Sequence, residues 1–183
     1  MDKAISLGFL ITLIWLIGSC KVDEQRNPEN VLVGFVLLNV NSKFADAFKE
    51  INAKSITDFR AKLLRELKSD SKKREQVLAF FKIKAIDEFS NLSNESVMTR
   101  LLSFQTFFKY SLGDIVGKVL TKTSIAAESH WEVKLIKVAQ NNDGATIEYQ
   151  VIDASRNQTF SAETAHLRKT GNRWEMIWPI AME

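Results

Sequence analysis

The spacing of apolar residues changes near Gly113, and this change limits the folds open to the chain more than any other feature. Before Gly113, apolar residues recur every three or four positions, as on one face of a helix. One such series is Leu78, Phe81, Ala85, Phe89 and Leu92. After Gly113, apolar and polar residues alternate, as in a strand with one buried face. The sequence therefore predicts a helical first part and a β-sheet second part.

Polar breaks divide the first part into several helices. Asn27-Pro28-Glu29 predicts a helix start, because Asn caps the first turn, Pro suits its first position and an acid suits its positive end. Ser55 and Asp58 have the spacing of a capping box and predict another start at Ser55. Ser69-Asp70-Ser71 predicts a break between two later helices.

The pattern in the second part predicts strands joined by short turns. Asn141-Asn142-Asp143-Gly144 predicts a hairpin turn, since Asp-Gly accepts the positive φ that such turns need. A strand is expected at 158–170 and the last one at 174–178, and residues 114–124 have the composition for one more. The predicted fold class is therefore α+β, with N-terminal helices packed on one face of a curved four- to five-stranded antiparallel sheet.

Large apolar side chains fall on one face of the predicted sheet. The face that we expect to be buried carries Trp131, Val133, Tyr149, Val151, Trp174 and Trp178. These rings could fill the space between sheet and helices as an ordinary core. They could instead line a pocket there. The candidate pocket residues are Trp131, Tyr149, His166, Trp174 and Trp178.

The first 20 residues have the organisation of an export signal. Residues 4–17 are almost all apolar, and this run is shorter than the roughly 20 residues that a membrane-spanning helix needs. The series Ile17-Gly18-Ser19-Cys20 then resembles the lipobox of bacterial lipoproteins. That resemblance implies a cut before Cys20, a diacylglyceryl group on its thiol, and further acylation, as by palmitate, at the new amino terminus. The alternative is an uncleaved signal anchor in which Cys20 is a free thiol.

The lipobox interpretation divides the chain into three parts. Residues 1–19 are the lipoprotein signal peptide, residues 20–27 are the lipidated Cys20 with a short polar tether, and residues 28–183 form a single α+β domain. Cys20 is the only cysteine, so the domain has no disulfide. The expected location is the bacterial cell envelope. Lys21 follows the cysteine, and the lack of an acid there resembles outer-membrane lipoproteins, for a host with two membranes.

Two longer stretches carry a second resemblance. NPENVLVGFVLLNVNSKFADAF and GNRWEMIW are similar to the first helices and last strand of the cone-shaped nuclear-transport-factor-2-like (cystatin-like) fold, which uncharacterised bacterial lipoproteins often carry. The resemblance spans residues 28–179, and the long helical region at 55–111 would be an inserted helical element. This fold hosts binding modules, enzymes and assembly parts alike, so function has to be argued from the site.

Residues for catalysis or metal binding are sparse. The two histidines are far apart in the sequence, and no Gly-x-Ser-x-Gly or phosphate-binding loop occurs. Enzymes of the fold that this chain resembles use acid–base residues that project into the cone, and the resemblance implies Tyr149, Asp153 and His166 as the candidates here. The alternative is a core tyrosine and a histidine satisfied elsewhere, and we favour it. We therefore expect no metal, no cofactor and no catalytic residue.

The excess positive charge is confined to one stretch. Residues 60–75, RAKLLRELKSDSKKRE, hold seven Lys or Arg and three Asp or Glu, a net charge of +4. A docking surface for anionic lipid or an acidic envelope protein would use Lys62, Arg65, Lys68, Lys72, Lys73 and Arg74. The alternative is an ordinary solvated helix end and loop. Nucleic acid is not an expected partner, since an exported lipoprotein is separated from it.

These features predict a membrane-anchored envelope lipoprotein that acts as a non-catalytic binding module. One alternative is a small-molecule enzyme with a pocket between sheet and helices. Another is an inhibitory or assembly lipoprotein that caps a protein partner. An enclosed polar pocket would favour the enzyme, whereas a filled interior with an open apolar groove would favour binding or capping.

The lipid anchor gives the first test. Cys20→Ala removes the thiol that would take the lipid, so it should abolish labelling by radioactive fatty acid and leave an unprocessed precursor. Ser19→Ala keeps a small residue before the cut and should be labelled normally. Labelling that persists in Cys20→Ala would exclude this anchor.

Overall fold

The computed structural model describes residues 26–111 and 130–178. The first range contains six α-helices and a π-helical turn. The helices are α1 (Pro28–Val40), α2 (Phe44–Phe48), α3 (Ala53–Ser69), α4 (Ser71–Phe81), α5 (Ile86–Asn91) and α6 (Asn94–Thr106), and the turn is Phe107–Ser111. Cys20 with the preceding signal, and the strand expected within 114–124, lie outside the described residues.

The second range forms a five-stranded antiparallel sheet. Its strands are β1 (Trp131–Gln140), β2 (Gly144–Asp153), β3 (Gln158–Thr159), β4 (Glu163–Thr170) and β5 (Arg173–Met176). Their spatial order is β1-β2-β4-β5, and the short β3 pairs with the end of β2. A turn joins β1 to β2 at the predicted place, but neither Asp143 nor Gly144 has the positive φ that the prediction assumed. The Asn141 side chain holds the turn instead, because it accepts hydrogen bonds from the backbone N–H of Asp143 and Gly144.

The predicted α+β class is confirmed, with helices on one face of an antiparallel sheet. Inward side chains of the sheet pack against α1, the first half of α3 and α6 in one apolar cluster. All six residues predicted for the buried face contribute to this cluster. Tyr149, Val151, Trp174 and Trp178 are buried, whereas Trp131 and Val133 are half-buried because β1 is the outermost strand of the described sheet.

The helical region also forms a second, smaller apolar cluster away from the sheet. Its buried residues are Leu67, Phe81, Phe89 and Val97, from α3, α4, α5 and α6. Arg60 holds these helices together, because its guanidinium donates hydrogen bonds to Asn94 Oδ1 and to the Phe89 carbonyl, at 2.6 and 3.1 Å, and lies over the Phe89 ring. Leu101 packs against both clusters and so joins them.

The chain between α2 and α3 pairs with β5. Asn52 donates its backbone N–H to the Met176 carbonyl, and Met176 donates to the Glu50 carbonyl, both at 2.8 Å. This pairing places Asn52 at the start of α3, where its side chain accepts from the Ser55 N–H at 3.0 Å. The helix start predicted at Ser55 was therefore wrong. Asp58 does not complete a capping box, because its carboxylate binds Lys54.

Burial of Trp174 gives a test of the sheet's orientation. Trp174→Ala removes a ring that is 4% exposed, so it should lower the free energy of unfolding by about 3–5 kcal/mol in a denaturant titration. Phe108→Ala is the matched control, since Phe108 is an aromatic residue that is 60% exposed. A loss below about 1 kcal/mol for Trp174→Ala would mean that its face is not a core face.

Asn52 should stabilise the protein through its link to β5 as well as through the helix cap. Asn52→Asp keeps the cap acceptor but replaces the amide that donates to Glu175 Oε2 at 2.6 Å. We expect the free energy of unfolding to fall by about 1–3 kcal/mol at neutral pH, because two carboxylates then face each other. The loss should shrink in acid.

Two further variants check this account of Asn52. Asn27→Asp makes the same change at the cap of α1, where the Asn27 side chain accepts only the local Asn30 N–H. This variant should change the free energy of unfolding by no more than about 0.5 kcal/mol. Adding Glu175→Gln to Asn52→Asp places an amide donor at position 175 opposite the new carboxylate acceptor at position 52. The double variant should recover most of the lost free energy of unfolding. Without recovery, the link to Glu175 would not be the cause.

Candidate functional site

The predicted pocket residues divide between the two faces of the sheet. Tyr149, Trp174 and Trp178 lie in the core on the inner face, and Trp131 packs at its edge. His166 pairs with Thr146 across the two strands and lies on the outer face, where its Nδ1 is 3.1 Å from Thr146 Oγ1. His166 therefore does not join the other four residues.

A break in the predicted strand at 158–170 explains the position of His166. Residues 160–162 separate β3 from β4, and Phe160 turns its ring inward onto Tyr110 and Trp131, with centroids 4.9 and 6.1 Å away. The alternation then restarts in the opposite phase, because a shift of the pattern by one residue exchanges the two faces of a strand. Glu163, Ala165 and Leu167 consequently face inward.

Glu163 forms the main polar group on the inner face. Its carboxylate accepts hydrogen bonds from the Tyr110 and Tyr149 hydroxyls, both at 3.2 Å, and pairs with Lys109 Nζ at 2.6 Å. Tyr149 lies directly across from it on β2. The π-helical turn supplies Lys109 and Tyr110. Sequence reasoning missed Glu163, because strict alternation along 158–170 predicts that it faces outward.

The two tyrosines of this cluster remain protonated donors. Burial, reinforced by the negative charge of Glu163, raises the pKa of Tyr110 and of Tyr149 far above the usual value near 10. A hydroxyl with such a pKa does not act as a base at neutral pH. The role left to the cluster is structural, because its hydrogen bonds join Lys109 and Tyr110 at the end of the helical region to Glu163 of the sheet.

A cavity of about 30 Å³ lies beside this cluster, close to the volume of one water molecule in the liquid. Asn39 also lines it. The Asn39 amide donates to the Phe35 carbonyl, but its buried Oδ1 has no hydrogen-bond partner among the described residues. A water molecule there would satisfy this oxygen.

Asp153 has a structural role at the end of β2. Its fully buried carboxylate accepts from the Ser155 hydroxyl at 2.5 Å and from the backbone N–H of Ser155 and Arg156, as in an Asx turn. The acid–base candidates Tyr149, Asp153 and His166 thus have separate local partners. Within 26–111 and 130–178, no group of three His, Cys, Asp or Glu side chains could hold a metal ion.

The basic stretch spans the second half of α3 and the start of α4. Of its six predicted docking residues, Arg74 is half-buried and the other five are exposed. Arg60 is separate from them, since it is committed to the contacts with α5 and α6 described above. Lys73 is paired with Glu66, and their hydrogen bond lowers the pKa of Glu66 and raises that of Lys73, so both stay charged at neutral pH.

A half-open groove of about 650 Å³ lies between α3 and the ends of β4 and β5. It brings together Lys62 and Lys73 of the basic stretch and Trp178 of the predicted pocket. Its other polar lining includes Arg168. Sequence reasoning assigned these residues to unrelated features, because more than 90 positions separate α3 from β4 and no local pattern links them.

Three phenylalanines remain exposed at the end of α6. Phe104, Phe107 and Phe108 are 49, 48 and 60% exposed, and the Phe104 ring packs against Phe80 and Phe108. Neighbouring rings form an apolar patch more readily than scattered residues do. Nothing among the described contacts shows what covers this patch.

Comparison with known proteins assigns no family to the chain. No family model matches it, and neither a curated protein nor a solved structure is significantly similar to it. Within the described residues, no helix is long and apolar enough to span a membrane.

The Glu163 cluster predicts how the protein titrates at high pH. Tyr110 and Tyr149 are the only tyrosines. Their ultraviolet absorbance should therefore show no tyrosinate step near pH 10 in the folded protein, but should show one in denaturant. Because the folded state holds these protons more tightly, the free energy of unfolding should be unaffected below about pH 10 and should fall above it.

Glu163→Gln tests the part played by the carboxylate. The amide oxygen still accepts a hydrogen bond but the charge is gone, so the tyrosinate step should move toward lower pH while burial still keeps it above 10. If the folded protein without this substitution shows a tyrosinate step near pH 10, the burial of the two hydroxyls is contradicted.

Proposed function

We propose that this protein is a non-catalytic binding module, tethered to the bacterial cell envelope by lipid on Cys20 and docked by its basic stretch on anionic lipid headgroups. The Ile17-Gly18-Ser19-Cys20 series supports the tether and the cell-envelope location, with the outer membrane as the site in a host with two membranes. The resemblance to the nuclear-transport-factor-2-like fold is compatible with this role, because that fold carries binding modules.

The contents of the interior support binding over catalysis. The space between sheet and helices holds a packed apolar cluster, and the cavity beside Glu163 has room for about one water molecule. General acid–base chemistry needs groups that converge within hydrogen-bond reach of a substrate. Tyr149 is instead bound to Glu163, Asp153 to its own turn, and His166 lies on the outer face.

The observation that carries the proposal is the set of exposed cations on α3 and α4. Arg65, Lys68 and Lys72 are exposed and have no carboxylate partner among the described residues. Each Lys or Arg close to an anionic membrane surface contributes about 1 kcal/mol to binding. Several such side chains at the junction of α3 and α4 therefore favour an anionic membrane over a neutral one.

Vesicle binding at two salt concentrations tests the docking. The full chain is kept in solution with a non-ionic amphipol and sedimented with phosphatidylcholine vesicles that either contain or lack phosphatidylglycerol. Binding to the anionic vesicles should weaken strongly between about 0.1 M and about 1 M salt, as the screening length falls from about 10 Å to about 3 Å. Neutral vesicles measure the background from the N-terminal segment.

Charge reversal identifies the surface responsible. Arg65→Glu, Lys68→Glu and Lys72→Glu together should weaken binding to anionic vesicles by about a hundredfold or more. The matched control reverses Lys84, Lys134 and Lys137, which are exposed elsewhere and give the same change in net charge. Binding that ignores both salt and the first set of reversals would reject lipid docking and direct attention to a protein partner.

A further inference from the structure

The groove between α3 and the sheet has an apolar floor. Phe59 and Leu63 of α3 face Ile177 and Trp178, which follow β5. The Phe59 and Trp178 rings meet edge to face, with centroids 6.0 Å apart. A volume of about 650 Å³ lies in the range of roughly 300–1,000 Å³ that small-molecule sites occupy. The groove can therefore hold an elongated apolar group.

The rim of the groove carries more cations than carboxylates. Lys54 pairs with Asp58 at 2.8 Å and Lys73 pairs with Glu66, so these four charges balance. Lys62 and Arg168 also line the groove and form no direct salt bridge among the described residues, although Glu66 attracts Lys62 and Glu175 lies across from Arg168 on the neighbouring strand. The rim therefore has two positive charges in excess, one from α3 and one from β4.

A buried donor in the groove wall also lacks a partner. Trp178 is 4% exposed, and its indole Nε1 has no hydrogen-bond partner among the described residues. Its backbone N–H is satisfied by Ser55 Oγ at 3.0 Å, so the residue itself is held in place. An unpaired buried donor is costly, and a water molecule beside the ring would remove that cost, so this nitrogen fixes neither the head nor the chain of a ligand.

We infer that this groove binds a single-chain amphipath with an anionic head, of the fatty-acid class. The head lies between Lys62 and Arg168, and the guanidinium suits the two oxygens of a carboxylate. The chain lies along Phe59, Leu63 and Trp178. This inference names a ligand for the binding function proposed above, and it rests on that function being non-catalytic.

Both features of the groove are needed to choose this ligand class. An inorganic anion would satisfy Lys62 and Arg168 but would leave the apolar floor in contact with water. A neutral hydrocarbon would cover the floor but leave the excess positive charge of the rim without a counterion. Charge-assisted hydrogen bonds are stronger than neutral ones, so the head should contribute a clear part of the affinity.

Equilibrium dialysis with tritiated laurate tests the inference. The full chain is kept in non-ionic amphipol, and amphipol alone gives the background. Laurate should bind saturably, with one molecule per chain, and dodecanol, which has the same chain length and no charge, should bind at least about tenfold more weakly. Reversal of Lys62 and Arg168 to Glu should weaken laurate binding by about tenfold or more.

The control variant reverses Lys134 and Lys137, which lie on β1 away from the groove, and it should bind laurate normally. Equal binding of laurate and dodecanol, unchanged binding after reversal of Lys62 and Arg168, or no saturable binding would each overturn the inference. A further contrary result is that inorganic phosphate displaces laurate and that fatty acids of different chain lengths bind equally well. That result would assign Lys62 and Arg168 to a free anion and would also overturn the inference.

The two proposals can fail separately. Reversal of Arg65, Lys68 and Lys72 removes charges outside the groove, so it should leave laurate binding intact while it abolishes vesicle docking. Vesicle docking without laurate binding would reject the groove ligand alone. Laurate binding without salt-dependent docking on vesicles would reject only the proposal that the basic stretch docks on anionic lipid.

Discussion

The attachment of α3 to the last strand is the contact on which the arrangement of helices and sheet depends. Asn52 and Ser55 are both buried polar residues, and each bonds both within the helix start and to β4, β5 or the residues that follow β5. The same bonds satisfy the first N–H groups of α3 and fix its direction over β5. Because α3 forms one wall of the groove, this attachment also sets the distance between Lys62 and Arg168.

The break between β3 and β4 has a comparable effect at the other end of the sheet. A shift of one residue reverses which side chains of β4 face the core, and it moves Glu163 inward and His166 outward. An inward carboxylate would be unstable without partners, and Lys109, Tyr110 and Tyr149 supply them. The shift therefore makes a polar link between the helical region and the sheet while it removes the histidine from the interior.

Charge is distributed so that the cations of the helical region serve different purposes. Arg60 is used inside the helical cluster, where it binds α5 and α6. Lys54 and Lys73 are balanced by acids on the groove rim. Arg100 is also committed, since it donates to the Phe81 carbonyl at 2.7 Å, and Lys109 pairs with Glu163. Lys62, Arg65, Lys68 and Lys72 face solvent or the open groove. A net charge counted along residues 60–75 cannot distinguish these environments, because it treats a half-buried structural arginine and an exposed lysine alike.

The sequence by itself determined the α+β class, the helix start at Asn27, the hairpin at Asn141–Gly144 and the inward face of β2 and β5. Each depends on neighbours within a few positions, through caps, turns and the two hydrophobic periods. Tertiary structure alone decided that α3 starts after Asn52, that Glu163 replaces His166 on the inner face, and that Lys62, Arg168 and Trp178 share one groove. These outcomes depend on hydrogen bonds and packing between residues far apart in the chain, and such contacts leave no periodic pattern in the sequence.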